Sequence, residues 1–202
     1  MTEQSPLDLW PDVQPDAARR LMAAAVESFA ERGYHATTTR DIATAAGMSP
    51  AALYVHFPSK AALLFAISRT GHEKALALVR SVAQRPEPPV VRMRELVQEF
   101  VAWHARRHLV ARVVQYELTA LPPEEFEVVA GLRRETERVV REVITEGQSS
   151  GDFRVDDVKA AARAVLSLSI DVARWYTHST GPDPGELARA YAGLVSRMLG
   201  AD

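Results

Sequence analysis

The run Leu53-Tyr54-Val55-His56-Phe57 places a phenol and an imidazole two residues apart on a short apolar segment. At helical spacing Leu53 and Phe57 share one side, where they are suited to packing on Ile42 and Phe29. The opposite side then carries Ala51, Ala52 and Val55, with Tyr54 and His56 flanking it. Small outward residues let a helix enter a DNA major groove, and flanking Tyr and His side chains can hydrogen-bond the phosphates on either wall. The same two residues, taken singly, also suit boundary positions of any compact bundle.

A second concentration of chemistry lies further on. Trp103, His104, His108, Arg112, Tyr116 and Glu117, with Asp171, Trp175 and Tyr176, give the aromatic surface and few polar groups that line many small-molecule pockets. They equally describe an ordinary core. Asp171, set among Leu168, Ile170 and Val172, reads as a buried carboxylate that needs Arg174 or Arg112 as partner. His104 and His108 are spaced to bind a metal from one helical face, but no further ligand converges on them, so no metal and no cofactor is assigned. Arg106, Arg107 and Arg112 suit either an anionic ligand or a solvated basic face. There is no Gly-x-Ser-x-Gly, no phosphate-cradling glycine loop and no His-Glu-x-x-His, so the sequence does not read as an enzyme.

Composition bounds these readings. The chain has 202 residues, 47% of them hydrophobic, enough to bury a core as one large domain or two small ones. It has no cysteine, which fits a reducing cytoplasm and rules out a disulfide framework. Glu3, Asp8 and Asp12 stand where a signal peptide would need bases and an apolar run. No stretch reaches the roughly 18 uncharged apolar residues of a membrane span, so a soluble cytoplasmic protein without a membrane partner is expected. The net charge of -2 argues weakly against nucleic acid, yet from Asp16 to Thr70 six bases face four acids, a local surplus of +2.

These residues need elements to position them, and helical periodicity dominates from Asp16 to Leu199 without a strand-like alternation. The chain reads as all-α, with about nine helices. The first runs from Asp16, a plausible N-cap, to Arg32, stopped by Gly33 and burying Leu21, Ala25, Val26 and Phe29. Thr38 with Asp41 forms a capping-box variant opening a two-turn helix that ends before Gly47. Ser49 followed by Pro50 opens the next, through Phe57. Pro58-Ser59-Lys60 starts a long helix towards Gln84, and Arg85-Pro86-Glu87-Pro88-Pro89 is a stiff loop. Further helices fall at Val90 to His108, Val110 to Ala120, Pro122 to Glu146, Asp156 to His178 and Asp183 to Leu199. Residues 1–15 are expected to be a disordered arm, 16–62 a helix-turn-helix domain, and 63–202 a ligand-binding and dimerisation domain.

The segments Gly33-Tyr34-His35-Ala36-Thr37-Thr38-Thr39-Arg40-Asp41-Ile42-Ala43, Ala46-Gly47-Met48-Ser49 and Leu53-Tyr54-Val55-His56-Phe57-Pro58-Ser59-Lys60 closely resemble the TetR family of transcription regulators. The resemblance covers about Ala17 to Phe65. It implies an all-α dimer with an amino-terminal helix-turn-helix, a divergent ligand-binding bundle, and in most cases repression relieved by a small-molecule effector. It implies DNA contacts from Thr39, Arg40, Ser49, Ala51, Tyr54, His56 and Lys60. Of these, Thr39, Tyr54, His56 and Lys60 fit phosphate contacts, aided by helix N-termini at Thr39, Ser49 and Lys60. With Val55, Ala51 and Ala52 limited to thymine methyls, Arg40 is the best candidate for bidentate guanine recognition.

Beyond Phe65 the resemblance is architectural. It implies dimerisation through the last two helices as a four-helix bundle, which Leu187, Ala190, Tyr191, Leu194, Val195 and Met198 support as an apolar stripe. That stripe also suits covering the chain's own core. Two recognition helices of such a dimer would sit about 34 Å apart on a pseudo-palindromic operator of double-stranded DNA. The tail Ala173-Arg174-Trp175-Tyr176, Glu186-Leu187-Ala188 and Tyr191-Ala192-Gly193-Leu194 is similar to that of TetR-type regulators of lipid and sterol catabolism, implying a hydrophobic or acyl-CoA-like effector. A helical small-molecule sensor or protein-interaction module without DNA binding is the alternative.

Overall fold

Side chains and prolines close the first turns of the short helices. Helix α1 (Asp16–Arg32) follows Pro15, so Asp16 lies inside the first turn, paired with Arg19, rather than capping it. An acid there still favours the positive end of the helix dipole. Before α2 (Thr39–Ala45), Thr38 Oγ1 accepts from the Asp41 amide at 3.2 Å while the Asp41 carboxylate accepts from the Thr38 amide at 2.9 Å, a complete capping box. The Thr38 hydrogen bonds hold the Asp41 carboxyl below its ordinary pKa. Gly47 then turns the chain at φ +67°, a conformation that disfavours a Cβ, with the Arg20 guanidinium closing on the Ala46 carbonyl beside it. Ser49 Oγ accepts from the Ala52 amide at 3.2 Å to start α3 (Pro50–His56), with Pro50 in the first turn.

The computed structural model describes residues 10–201, and among them nine helices and no strand are found. After α4 (Lys60–Ala83) come α5 (Pro89–Arg106), α6 (His108–Tyr116), a 3-10 turn at Leu118–Ala120, α7 (Pro123–Ser150), α8 (Val158–Trp175) and α9 (Pro184–Met198).

The chain forms two compact units, and neither is a continuous stretch. One comprises the residues up to Gly71 together with Leu109–Val129; the other comprises His72–His108 and the residues from Ala130 on. The expected linear boundary after residue 62 therefore differs from the packing, because α6 and the start of α7 complete the first unit's core. There Leu21, Ala25, Val26, Ile42, Leu53, Leu63, Leu64 and Ile67 are fully buried, with Val110, Val113, Val114 and Val129 in the same cluster. Helices α2 and α3 have seven residues each, too few to persist alone, and stand because this core holds them. Residues 1–9 of the expected disordered arm lie outside the described residues; Trp10, within the expected arm, packs in the first unit. Its indole is 1% exposed in the first unit's core, and burial of so large an apolar surface anchors the segment before α1.

In the second unit α5 is the central helix, packed on α9 and α8. Met93, Leu96, Val97, Phe100 and Val101 bury its inner face with Val165 and Val172 of α8, and with Ala188, Ala192 and Val195 of α9. Several helix ends depart from the boundaries read from the sequence: α5 ends at Arg106 instead of His108, and α6 spans His108–Tyr116 instead of Val110 to Ala120. Helix α7 runs through Gly147 instead of stopping at Glu146, and the bare Gly147 admits the Phe153 ring: a Cβ at 147 would lie 2.0 Å from it. Helix α8 stops at Trp175, before His178, where Tyr176 turns its ring inward and donates to the Pro182 carbonyl at 3.1 Å.

Candidate nucleic-acid interface

The turn at Gly47 and the shared core give α2 and α3 fixed partners within the first unit. Leu53 and Phe57 are buried as the spacing required, in the same cluster as Ile42 and Phe29. Opposite them Val55 is 80% exposed, beside exposed Ala51 and Tyr54 and half-buried His56. Arg40 and Ser49 are exposed, and Thr39 is half-buried at the start of α2. Thr39 Oγ1 and Tyr54 OH lie 3.1 Å apart, so two hydroxyls predicted separately for phosphate form one hydrogen-bonded pair bridging α2 and α3. Both are also competent to bond a third oxygen. Val55 projects between this pair and His56 with no donor of its own, which leaves Arg40 as the exposed fork of donors in the set.

Lys60, half-buried, is engaged within the chain. Its ammonium donates to the carbonyls of Tyr34 and Thr37, at 2.7 Å each, and stands 4.2 Å from the centre of the Tyr34 ring. Burial pulls its pKa down. It is thus a tie across the α1–α2 turn, since a cation already surrounded by carbonyls and an aromatic face gains less from a phosphate. The Tyr34 amide in turn donates to Glu117 Oε1 at 3.2 Å. As one of a few polar groups among aromatics, Glu117 reads in the sequence as pocket lining; its partner lies 83 residues away, and no local pattern signals such a pair. Trp10 was legible in principle, as a large apolar residue in a segment otherwise rich in Pro and Asp.

The predicted ligand-binding residues are divided between the two units. Arg112 and Tyr116 belong to the first unit, Tyr116 being 57% exposed, while Trp103, His104, His108, Asp171 and Trp175 belong to the second. Asp171 is not a buried carboxylate: it faces solvent on α8, paired with Arg174 at 2.7 and 3.0 Å, which holds its pKa down. An i,i+3 pair on an exposed helix face satisfies it without core contacts. Trp175 is likewise outward. Inside, His104 is 3% exposed, with Nδ1 2.8 Å from the Phe100 carbonyl and its ring against Phe100 and Trp103. Burial pushes its pKa down to about 4, so the imidazole is neutral. The His108 ring stacks edgewise on Tyr176 and His178, at 5.7 and 4.8 Å between centres. Among the described residues, no group of three or more acidic or histidine side chains is placed to hold a metal ion.

The predicted dimerisation stripe divides in two. Leu187 and Val195 are buried in their own unit's core and are not available to a partner. Leu194 and Met198 are outward at 47% and 38% exposure, beside exposed Ala190 and half-buried Tyr191. Leu168 and Trp175 of α8 are also exposed. No single helix among the described residues is long and apolar enough to cross a membrane.

A capped helix-turn-helix with a donor-edged outward helix, followed by a helical unit, defines a DNA-binding regulator. Sequence comparison agrees: residues 16–67 match the model of "Bacterial regulatory proteins, tetR family", and residues 86–199 match "Tetracyclin repressor-like, C-terminal domain". The chain belongs to the TetR family of transcription regulators and is not an enzyme. A TetR-family regulatory protein from Rhodococcus RHA1 is 43% identical, with a TM-score of 0.89 over 94% of this chain and 100% of that one. The transcriptional repressor KstR2 of Mycolicibacterium smegmatis is 28% identical over 92% of this chain and 93% of its own length. The structure of the ketosteroid transcriptional regulator KstR2 of Mycobacterium tuberculosis matches with a TM-score of 0.84 at 26% identity, over 93% of this chain and 96% of that one.

Proposed function

We propose that the protein is a cytoplasmic repressor that binds a pseudo-palindromic operator as a homodimer and leaves it when a small-molecule effector binds. The observation that carries this reading is the outward face of α2 and α3, which combines exposed Arg40, the Thr39–Tyr54 pair and half-buried His56 with an exposed Val55 that has no donor. Thr39, Tyr54 and His56 grip phosphates, Ser49 and Ala51 approach the groove at the start of α3, and Arg40 reads a guanine edge. Lys60 acts behind this face by holding the turn. Leu194, Met198, Ala190 and Tyr191, with Leu168 and Trp175, form the dimer contact, so that two α3 helices meet successive major grooves. Likeness to KstR2 supports repression and favours a hydrophobic effector; an acyl-CoA-like compound fits the tail pattern. Trp103, His104 and His108 are the predicted lining residues that the second unit keeps close to its core.

Fluorescence anisotropy with DNA adjoining the protein's own gene tests the reading. Binding should weaken steeply with salt, as phosphate neutralisation requires. Binding that is absent, or independent of salt, leaves a sensor without DNA recognition and overturns the proposal. Thermal-shift screening against acyl-CoAs, free acids and sterols then sorts the effector class; no shift with any thioester removes the acyl-CoA assignment.

A further inference from the structure

The turn between α1 and α2 delivers the chain to Thr39 and Arg40, and residues outside the helix-turn-helix hold it. Gly33 leaves α1 at φ +80°, and the Tyr34 amide that follows donates to Glu117, which stands just after α6. The carbonyl of that same Tyr34 accepts from Lys60. A carboxylate on its N–H and an ammonium on its C=O therefore hold Tyr34 through the peptide groups on both sides of it, each by a charge-assisted bond. Thr37, three residues on, is held by the same ammonium and donates its hydroxyl to the Gly33 carbonyl at 2.8 Å. Next in the chain are the capping box at Thr38 and then Thr39, the hydroxyl paired with Tyr54. Glu125, in the first turn of α7, adds a second carboxylate near Tyr34; burial first, then the negative charges of Glu125 and Glu117, raise the tyrosine's pKa.

We infer that Glu117 is a positioning residue for DNA binding: its carboxylate fixes the α1–α2 turn and thereby the placement of Thr39 and Arg40 relative to Tyr54. The inference rests on the DNA-binding reading above. Glu117 touches no DNA. Its contribution is that the start of α2 is ordered before the operator arrives, so that binding does not bear the entropy of fixing it.

The test is a double-mutant cycle on the full chain, with operator affinity measured by anisotropy well below the unfolding midpoints. Glu117→Ala should raise Kd about tenfold, the scale of one lost charge-assisted hydrogen bond, and should speed hydrogen exchange at the Tyr34 amide. Glu117→Gln keeps an acceptor oxygen and should recover most of the affinity. If Glu117 acts by placing Arg40, its removal costs less in an Arg40→Ala background than in the wild type. Additive effects, or wild-type affinity in folded Glu117→Ala, overturn the inference. Should Glu117→Ala fail to fold, the cycle is run with Glu117→Gln, where a coupled loss of about threefold is expected and additivity again overturns it. Wild-type protein that binds no operator DNA defeats the regulator reading itself, a result distinct from wild-type binding that Glu117 does not influence.

Discussion

The outward faces of α3 and of α8–α9 are both apolar at their centres, yet they are built from opposite materials. On α3 a single Val55 stands among alanines and is edged by hydroxyl, imidazole and guanidinium groups. On α8 and α9 the exposed hydrophobic residues are Leu168, Trp175, Leu194 and Met198, all with large side chains. The first arrangement can desolvate against thymine methyls while its rim exchanges water for phosphate oxygens. The second gains only by excluding water with another apolar surface, as the core of a homodimer interface does. The interiors differ as well: the first unit buries the hydroxyls of Ser28, Thr37 and Ser68, whereas the second encloses the neutral imidazole of His104.

Charging the larger face should have the greatest effect. Leu194→Asp should cost the dimer about 3 kcal/mol or more, because an uncompensated carboxylate would be desolvated in the contact, and operator binding should fall with it. Analytical ultracentrifugation reads the first loss and anisotropy the second; a stable Leu194→Asp dimer would show that this face is not the contact.

The buried histidine supplies the next effect. The folded pKa of His104 is depressed to about 4, from an ordinary value of 6.5. Between those values the unfolded chain takes up a proton that the folded chain refuses, so stability is complete above about pH 6.5 and declines as pH falls towards 4. The decline approaches about 3 kcal/mol for this group, and His104→Gln should flatten it. Denaturant titrations across that pH window measure it, and an unchanged slope in the variant would place the sensitive group elsewhere.

On the smaller face, Arg40→Ala should remove about 1–3 kcal/mol of discrimination at one base pair per half-site while leaving the melting temperature nearly unchanged. Selection of binding sites from random DNA checks it, since an unaltered consensus would deny Arg40 its reading role. Val55→Ala should be mildest: affinity for thymine-containing sites drops about two- to fivefold through lost methyl contacts, and stability stays within about 0.5 kcal/mol. A large stability loss would mean that Val55 packs inward, contrary to its 80% exposure.

What could be read in advance tracks the range of each interaction along the chain. Thr38 with Asp41, Ser49 with Pro50, and Leu53 with Phe57 are neighbours within a turn or so of helix, and the capping and burial inferred for them are those observed. Lys60 was assigned to phosphate because its partners, the carbonyls of Tyr34 and Thr37, have no side-chain signature. Asp171 reads as interior from its apolar neighbours in sequence, although only Val172 of these is fully buried, Leu168 is exposed on the same side, and Arg174 meets Asp171 at the surface. Periodicity also could not divide α9: Leu187 and Val195 share the apolar stripe with Leu194 and Met198, and only packing separates core from free surface.

The discontinuity of the two units matters for recombination. A fusion that takes residues 16–67 as a portable DNA-binding module leaves behind Val110, Val113, Val114, Leu118 and Val129, which close its core, and Glu117, which holds its first turn. It also discards Trp10. Crossovers between regulators of this architecture should therefore succeed when Leu109–Val129 travels with the amino-terminal segment, and otherwise yield chimaeras whose reading head is only partly assembled.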